Sequence, residues 1–244
     1  MTKTNQSYRE RFLIRSRLIA YLEDLNTSTS YVTDTLYVSP HPGIIPEWEW
    51  LPAAALNSPN GLVLVNWPSR QVAFGPPFAI DIDIDDGDRM SDGPYFAPLV
   101  ESLTRRRTVA FILLRLGSFA VGVAKDEKLV SSKTGTRYVK GRHRKGGQSQ
   151  RRFERNREVW ITRLYDKLCK TALDRIGPFE RDLDAVAIGG DGHVLEGFTK
   201  RCKFAEGLRS RLPNLEVGVD RPGLKSLEQA VINAWGCPVW ESES

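Results

Sequence analysis

Gly146-Gly147-Gln148, set among Arg142, Arg144, Lys145, Arg151 and Arg152, is the stretch of this sequence whose residue types are best suited to chemistry. Two adjacent glycines reach backbone conformations closed to other residues and let the main chain approach a ligand closely. Gln148 adds an uncharged amide that both donates and accepts hydrogen bonds. The cations around it can neutralise phosphates, and His143 lies among them. A narrow basic tip that ends in a neutral amide suits entry into an RNA-lined cavity and does not suit a metal site. The expected RNA contacts are Arg137, Arg142, His143, Arg144, Lys145, Arg151 and Arg152.

Such a tip needs a rigid base, and the flanking pattern supplies one. From Ser149 onward Trp160, Leu164, Leu168 and Ala172 recur every four residues, which predicts a long helix stopped at Gly177-Pro178. Before the tip, residues 109–116 and 119–123 read as strands joined at Gly117-Ser118, whose leading glycine suits a type II′ turn. A third short strand is expected near 128–131. Helix N-termini attract phosphate through free amide donors and the helix dipole, so the cations and the helix start would act on the same ligand. Lys/Arg-rich runs also form solvated linkers. The ordered pattern ending in Arg151-Arg152-Phe153, directly at a helix start, favours the RNA-facing reading.

The remaining elements are less informative. Phe12, Leu18, Ile19, Leu22 and Leu25 predict one amphipathic helix over residues 8–25. A strand is expected over 31–38, then an ordered connecting loop over 40–60 that carries Pro40, Pro42, Pro46, Pro52 and Pro59 with Trp48 and Trp50. A hairpin over 62–65 and 71–74, a half-buried strand over 79–84 and a short helix over 94–103 follow. Beyond the long helix come a strand (185–188), a helix (194–211), a strand (215–219) and a helix (224–235). This alternation predicts an α/β layer architecture.

The chain has 244 residues, 41% of them hydrophobic, so it can bury a sizeable core. Its net charge is +5 and its pI about 9.1, with the positive excess concentrated between Arg137 and Arg163, which marks a local polyanion-binding face. Cys169, Cys202 and Cys237 are odd in number and far apart, which argues against a disulfide framework and against zinc; a reducing cytoplasm fits. The apolar runs are too short to span a membrane. Asp81, Asp83, Asp85, Asp86 and Asp88 suggest a calcium loop, but Gly87 comes one residue late and no Glu stands at position twelve, so a charged outer strand face is the better reading. Gly189-Gly190-Asp191-Gly192 lacks the Walker lysine, Phe198 standing where it belongs, so no nucleotide cofactor is expected and close strand-to-helix packing accounts for the glycines. His41, His143 and His193 are isolated in sequence and show no metal-ligand spacing.

Thr136-Arg137-Tyr138-Val139-Lys140-Gly141-Arg142, followed by Gly146-Gly147-Gln148-Ser149-Gln150-Arg151-Arg152-Phe153, resembles the signature of the Vms-like release factor domain in its bacterial, actinobacterial-type branch. That domain is related to the catalytic middle domain of eukaryotic and archaeal peptide release factors. The stretch from Ile188-Gly189-Gly190-Asp191-Gly192 to Phe198 is similar to the strand-turn-helix after the catalytic helix of those factors. The resemblance covers residues 60–240 and implies a mixed β-sheet flanked by helices, preceded by an N-terminal segment over 1–60. It implies a peptidyl-tRNA hydrolase that frees nascent chains from stalled ribosomal particles. The partners would be the rRNA of the large ribosomal subunit and peptidyl-tRNA, with a monomeric protein, no metal or cofactor, and no membrane. Codon-independent action is expected, because the chain is short for an added codon-reading domain.

The family loop varies after the two glycines, so both Gln148 and Gln150 are candidates for the catalytic amide, with Gln148 favoured because it completes Gly-Gly-Gln. Two competing readings stay open. One is a nuclease that cleaves the tRNA acceptor end, and the other is a non-catalytic protein whose loop docks in rRNA.

Overall fold

The computed structural model describes residues 8–27, 32–81, 89–136 and 148–242, and these form two compact units, Met1–Arg105 with Trp235–Ser244, and Arg106–Ala234. In chain order the elements are β1 (Tyr8–Leu13), α1 (Arg15–Thr27), β2 (Asp34–Val38), α2 (Ala53–Leu56), β3 (Leu62–Trp67), β4 (Arg70–Phe74), β5 (Arg89–Asp92), α3 (Ala97–Thr104), β6 (Thr108–Arg115), β7 (Ser118–Lys125), β8 (Lys128–Thr136), α4 (Gln148–Ile176), β9 (Ala185–Gly190), α5 (Gly192–Arg201), α6 (Lys203–Arg211), β10 (Asn214–Glu216), α7 (Leu224–Ala234) and β11 (Cys237–Ser242). A boundary near residue 60 would separate β2 from β3, yet these strands pair from Asp34↔Asn66 to Val38↔Leu62. The packing divides the chain at Arg105 instead.

The first unit is built on an antiparallel sheet in the order β1-β11-β4-β3-β2-β5. Its strands alternate by side. Val63, Val65, Val72 and Phe74 join Leu18, Leu22 and Leu25 of α1 and Leu99 and Leu103 of α3 in one core, while Leu62, Leu64, Ala73 and Trp240 form another with Ile45, Trp48, Trp50, Leu51 and Ala55. The Pro/Trp-rich segment is therefore the cover of the second sheet face. Its prolines keep it out of any ladder, and the Trp50 indole N–H donates to Gln71 Oε1 at 2.7 Å.

Two expectations are corrected in this unit. Residues 8–25 are not one helix, because Tyr8–Leu13 pairs antiparallel with β11 from Tyr8↔Ser242 to Leu13↔Cys237 and only then does α1 begin. The strand expected over 79–84 is absent at 79–81; residues 82–88, with Asp83, Asp85, Asp86 and Asp88, lie outside the described residues. Asp81 instead holds Arg105 at 2.6 Å.

The second unit is a mixed sheet in the order β10-β9-β6-β7-β8, parallel across β10, β9 and β6 and antiparallel across β6, β7 and β8. Residues 109–114 of β6 are all buried, which requires cover on both faces. Leu164, Leu168 and Ala172 of α4, Val194 and Phe198 of α5 and Leu208 of α6 pack on Ala110, Ile112, Leu114, Phe119 and Val121. On the other face, Leu227 of α7 lies close to Gly122 and Leu129. This is the expected α/β architecture, a mixed sheet flanked by helices.

The β6–β7 turn departs from the expected type. Arg115 pairs with Ser118, so Leu116 and Gly117 are the central residues, and the positive φ (95°) falls on the second of them, as in a type II turn rather than II′. Asp126 and Glu127, between β7 and β8, both have positive φ, as a type I′ turn demands. The single helix expected over 194–211 is broken at Cys202, whose backbone is extended (φ −104°, ψ 94°). Cys202 forms a disulfide with Cys169 of α4, contrary to the expectation of unpaired cysteines. Their separation of 33 residues hides a proximity that the packing of α4 on α5 and α6 creates. Cys237 stays a buried thiol. No helix among the described residues is long and apolar enough to cross a membrane.

Candidate functional site

The direction of α4 follows from two contacts with β8. Ser131 Oγ donates to the Arg175 carbonyl at 3.1 Å, and the Lys167 ammonium donates to the Thr136 carbonyl at 3.5 Å. Later residues of the helix thus lie beside earlier residues of the strand, and Thr136 is level with Lys167. Gln148 opens the helix nineteen residues before Lys167, about 28 Å away along the axis at the rise of an α-helix. Leu164, Leu168, Ala172 and Ile176 are fully buried, whereas Arg155, Asn156, Glu158 and Val159 are exposed. The C-terminal half of α4 is therefore core, and its N-terminal half is a stalk that extends past the described end of β8.

Gln148, Gln150, Arg151 and Arg152 all fall at the start of this stalk, the helix beginning one residue earlier than Ser149. Arg137, Arg142, His143, Arg144, Lys145, Gly146 and Gly147 lie outside the described residues. The described site is thus the helical start with its support.

That support comes from α5. Gly190 has φ 137°, and a Cβ there would collide with the Leu114 carbonyl oxygen, as one on Gly189 would with that of Val217. The two glycines serve close packing and a tight exit from β9. Asp191 caps α5, its Oδ1 accepting the Val194 N–H at 3.2 Å, while its own N–H donates to the Leu114 carbonyl at 3.3 Å. From this anchored helix and from Cys202, which ends it, three contacts reach α4. The Tyr165 ring lies 6.0 Å from that of Phe198 beside Gly197, Asp166 accepts from Arg201 Nε and Nη2 at 2.7 and 3.2 Å, and Cys169 bonds to Cys202. Burial pushes the Tyr165 phenol up from its ordinary pKa, and the Asp191 carboxylate pushes it in the same direction. The phenol therefore stays neutral.

Sequence reasoning missed Tyr165, Asp166 and Gly197 as a group. A glycine inside a helix was the available signal. Among the described residues no three His, Cys, Asp or Glu side chains are placed to hold a metal ion.

A mixed sheet flanked by helices, with the long α4 packed across it, is the fold expected of a release-factor-like domain. The family model described as Actinobacteria/chloroflexi VLRF1 release factor matches residues 107–239, more than half of the chain, and the chain belongs to that family. Peptide chain release factor subunit 1 of Archaeoglobus fulgidus is 33% identical over 135 residues, covering 54% of this chain and 33% of that protein. The same factor from Aeropyrum pernix is 27% identical over 184 residues, covering 72% of this chain and 48% of the relative. The chain thus spans a third to a half of the length of these curated relatives. A solved structure titled "Vms1 mitochondrial localization core" is similar at a TM-score of 0.42 and 13% identity, covering 71% of this chain and 73% of that one.

Proposed function

We propose that this protein is a peptidyl-tRNA hydrolase that releases nascent chains from stalled ribosomal particles without reading a codon. The observation that carries this reading is the place of Gln148 at the first position of a helix that extends past the described end of β8, which is the shape needed to carry an amide into a narrow RNA-lined cavity.

The reaction is the attack of water on the ester carbonyl that joins peptide to tRNA. The bond from that carbonyl carbon to the ribose oxygen breaks, and the water's proton ends on the ribose hydroxyl. An amide is too weak a base to take the proton, so the Gln148 side chain positions the water. Its backbone N–H, which has no partner within the helix, stabilises the negative charge that develops on the carbonyl oxygen. Gly146 and Gly147 let the main chain come close. Arg137, Arg142, His143, Arg144, Lys145, Arg151 and Arg152 hold phosphates of peptidyl-tRNA and of large-subunit rRNA, contacts that position without reading sequence. The remaining groups come from the ribosome and the tRNA. The protein acts as a monomer in the cytoplasm.

The test is incubation with stalled ribosomal complexes that carry labelled peptidyl-tRNA, with both halves of the product analysed. Free peptide together with a full-length tRNA 3′ end is the expected result. A shortened tRNA would replace this reading with acceptor-end cleavage, and unchanged peptidyl-tRNA would leave only a docking role.

A further inference from the structure

Glycine is among the poorest residues for a helix interior, yet α5 and α6 each contain one. Gly207 of α6 has nothing within 4 Å of where a Cβ would stand, so its surroundings do not require glycine. Gly197 of α5 is different. A Cβ there would meet the Tyr165 hydroxyl at 2.8 Å and two ring carbons at 3.3 and 3.4 Å, against at least 3.4 Å for ordinary contact. The Tyr165 ring is 9% exposed and packs on Phe198, so it has little room to swing away.

The contact sits at a mechanically sensitive point. One turn further along α4, Cys169 is bonded to Cys202, and between the two Asp166 holds Arg201. From Leu168 onward the helix is held by packing, Leu168, Ala172 and Ile176 being fully buried around Cys169, and it rests against α5 at Gly197. Twenty-one residues separate Cys169 from Gln148 and four separate it from Tyr165, so a small displacement at Tyr165 grows about fivefold at Gln148 if α4 tilts as a rod. Opening the contact from 2.8 Å to ordinary distance, with half of the gap absorbed by the ring, moves the start of the helix by about 1.5 Å. A misplacement of about 1 Å can lower a rate about a hundredfold.

We propose that the Tyr165–Gly197 contact is the positioning device that sets the aim of α4 and so the place of Gln148 at the ester. This rests on the hydrolase reading above. A methyl group at Gly197 is a wedge under the stalk, and removal of the Tyr165 hydroxyl takes the wedge's opponent away.

The experiment compares wild type, Gly197→Ala, and Gly197→Ala with Tyr165→Phe in peptide release from stalled complexes over a range of particle concentrations. Spin labels at Lys133→Cys and Arg155→Cys, added to each form, report the distance between β8 and the stalk, and thermal melts are run on all forms. Gly197→Ala should lower the maximal release rate about tenfold or more, leave the half-saturating particle concentration within about twofold, and shift the label distance. The double variant should recover both rate and distance. Wild-type rate and distance in Gly197→Ala overturn the proposal. So does an effect, on rate or on folding, that Tyr165→Phe fails to reverse, because the glycine then serves the fold through another contact. If wild type releases nothing from any particle, the hydrolase reading fails by itself, and the label distances alone decide whether the contact aims the helix.

Discussion

Lys167 and Thr136 share a hydrogen bond, the ammonium donating to the carbonyl at 3.5 Å, which ties the last described residue of β8 to the middle of α4. Leu164 and Tyr165 still pack on the core, and the exposed stretch that carries Arg155, Asn156, Glu158 and Val159 is reach. Because the reach is helical, the first residue of α4 is held by a rod rather than by a loop, and substitutions at its start should separate chemistry from stability.

Gln148→Ala should slow peptide release about a hundredfold or more, the usual loss for one preorganised transition-state contact, with ribosome binding nearly intact. Gln150→Ala should do less, since Gln150 lies two residues into the helix. Both variants belong in one single-turnover assay. Abolished release in Gln150→Ala with retained release in Gln148→Ala would move the catalytic amide to Gln150.

Affinity for ribosomal particles should fall steeply with salt, by about 0.7 in log–log slope for each single-strand phosphate neutralised. Changing Arg144→Ala and Lys145→Ala together should flatten that slope by more than one unit's worth of contact, about 1.4 if each cation meets one phosphate. Binding titrations over a salt series measure it, and a salt-insensitive constant would remove this cluster from the interface.

Trp48→Ala should destabilise the first unit by about 3–5 kcal/mol, the range for truncating a large aromatic in a core. Trp48 is 2% exposed and packs with Trp50, their ring centroids 5.6 Å apart. Urea unfolding followed by tryptophan fluorescence would report the loss. A change below about 1 kcal/mol would mean that the Pro/Trp segment merely lies on the sheet.

Cys169→Ser should lower stability under oxidising conditions by about 3–4 kcal/mol in the chain-entropy account of a cross-link, given the 33-residue separation of the two cysteines. Reduction of the wild type should bring it to the level of the variant. Equilibrium unfolding with and without dithiothreitol compares the two, and equal midpoints in all four samples would show that the bond adds nothing.

The legible parts of the fold were those whose signal is local. The four-residue recurrence of Leu164, Leu168 and Ala172 located α4 to within a residue, and the runs 62–65 and 71–74 on either side of Asn66-Trp67-Pro68-Ser69-Arg70 located the β3–β4 hairpin. Where the deciding partner is distant, the local pattern misled. Phe12 falls in helical register with Ile19, seven residues on, but Tyr8–Leu13 takes its conformation from β11, near the other end of the sequence. The break at Cys202 was hidden in the same way, because nothing near it in sequence announces Cys169. At the candidate site, the chemistry-bearing residues were readable as a motif, while the contact of Tyr165 with Gly197 exists only once two helices have packed.

The pairing of Tyr8–Leu13 with Cys237–Ser242 also sets an order of events during synthesis. Residues Arg106–Ala234 hold every strand of the mixed sheet in one uninterrupted stretch, so that sheet can close while the ribosome is still adding residues. The antiparallel sheet has to wait. Until β11 emerges, β1 has no neighbour and β4 has an open edge, and a chain cut at Ala234 would keep the stalk and its base while leaving that edge free to pair with whatever strand comes next.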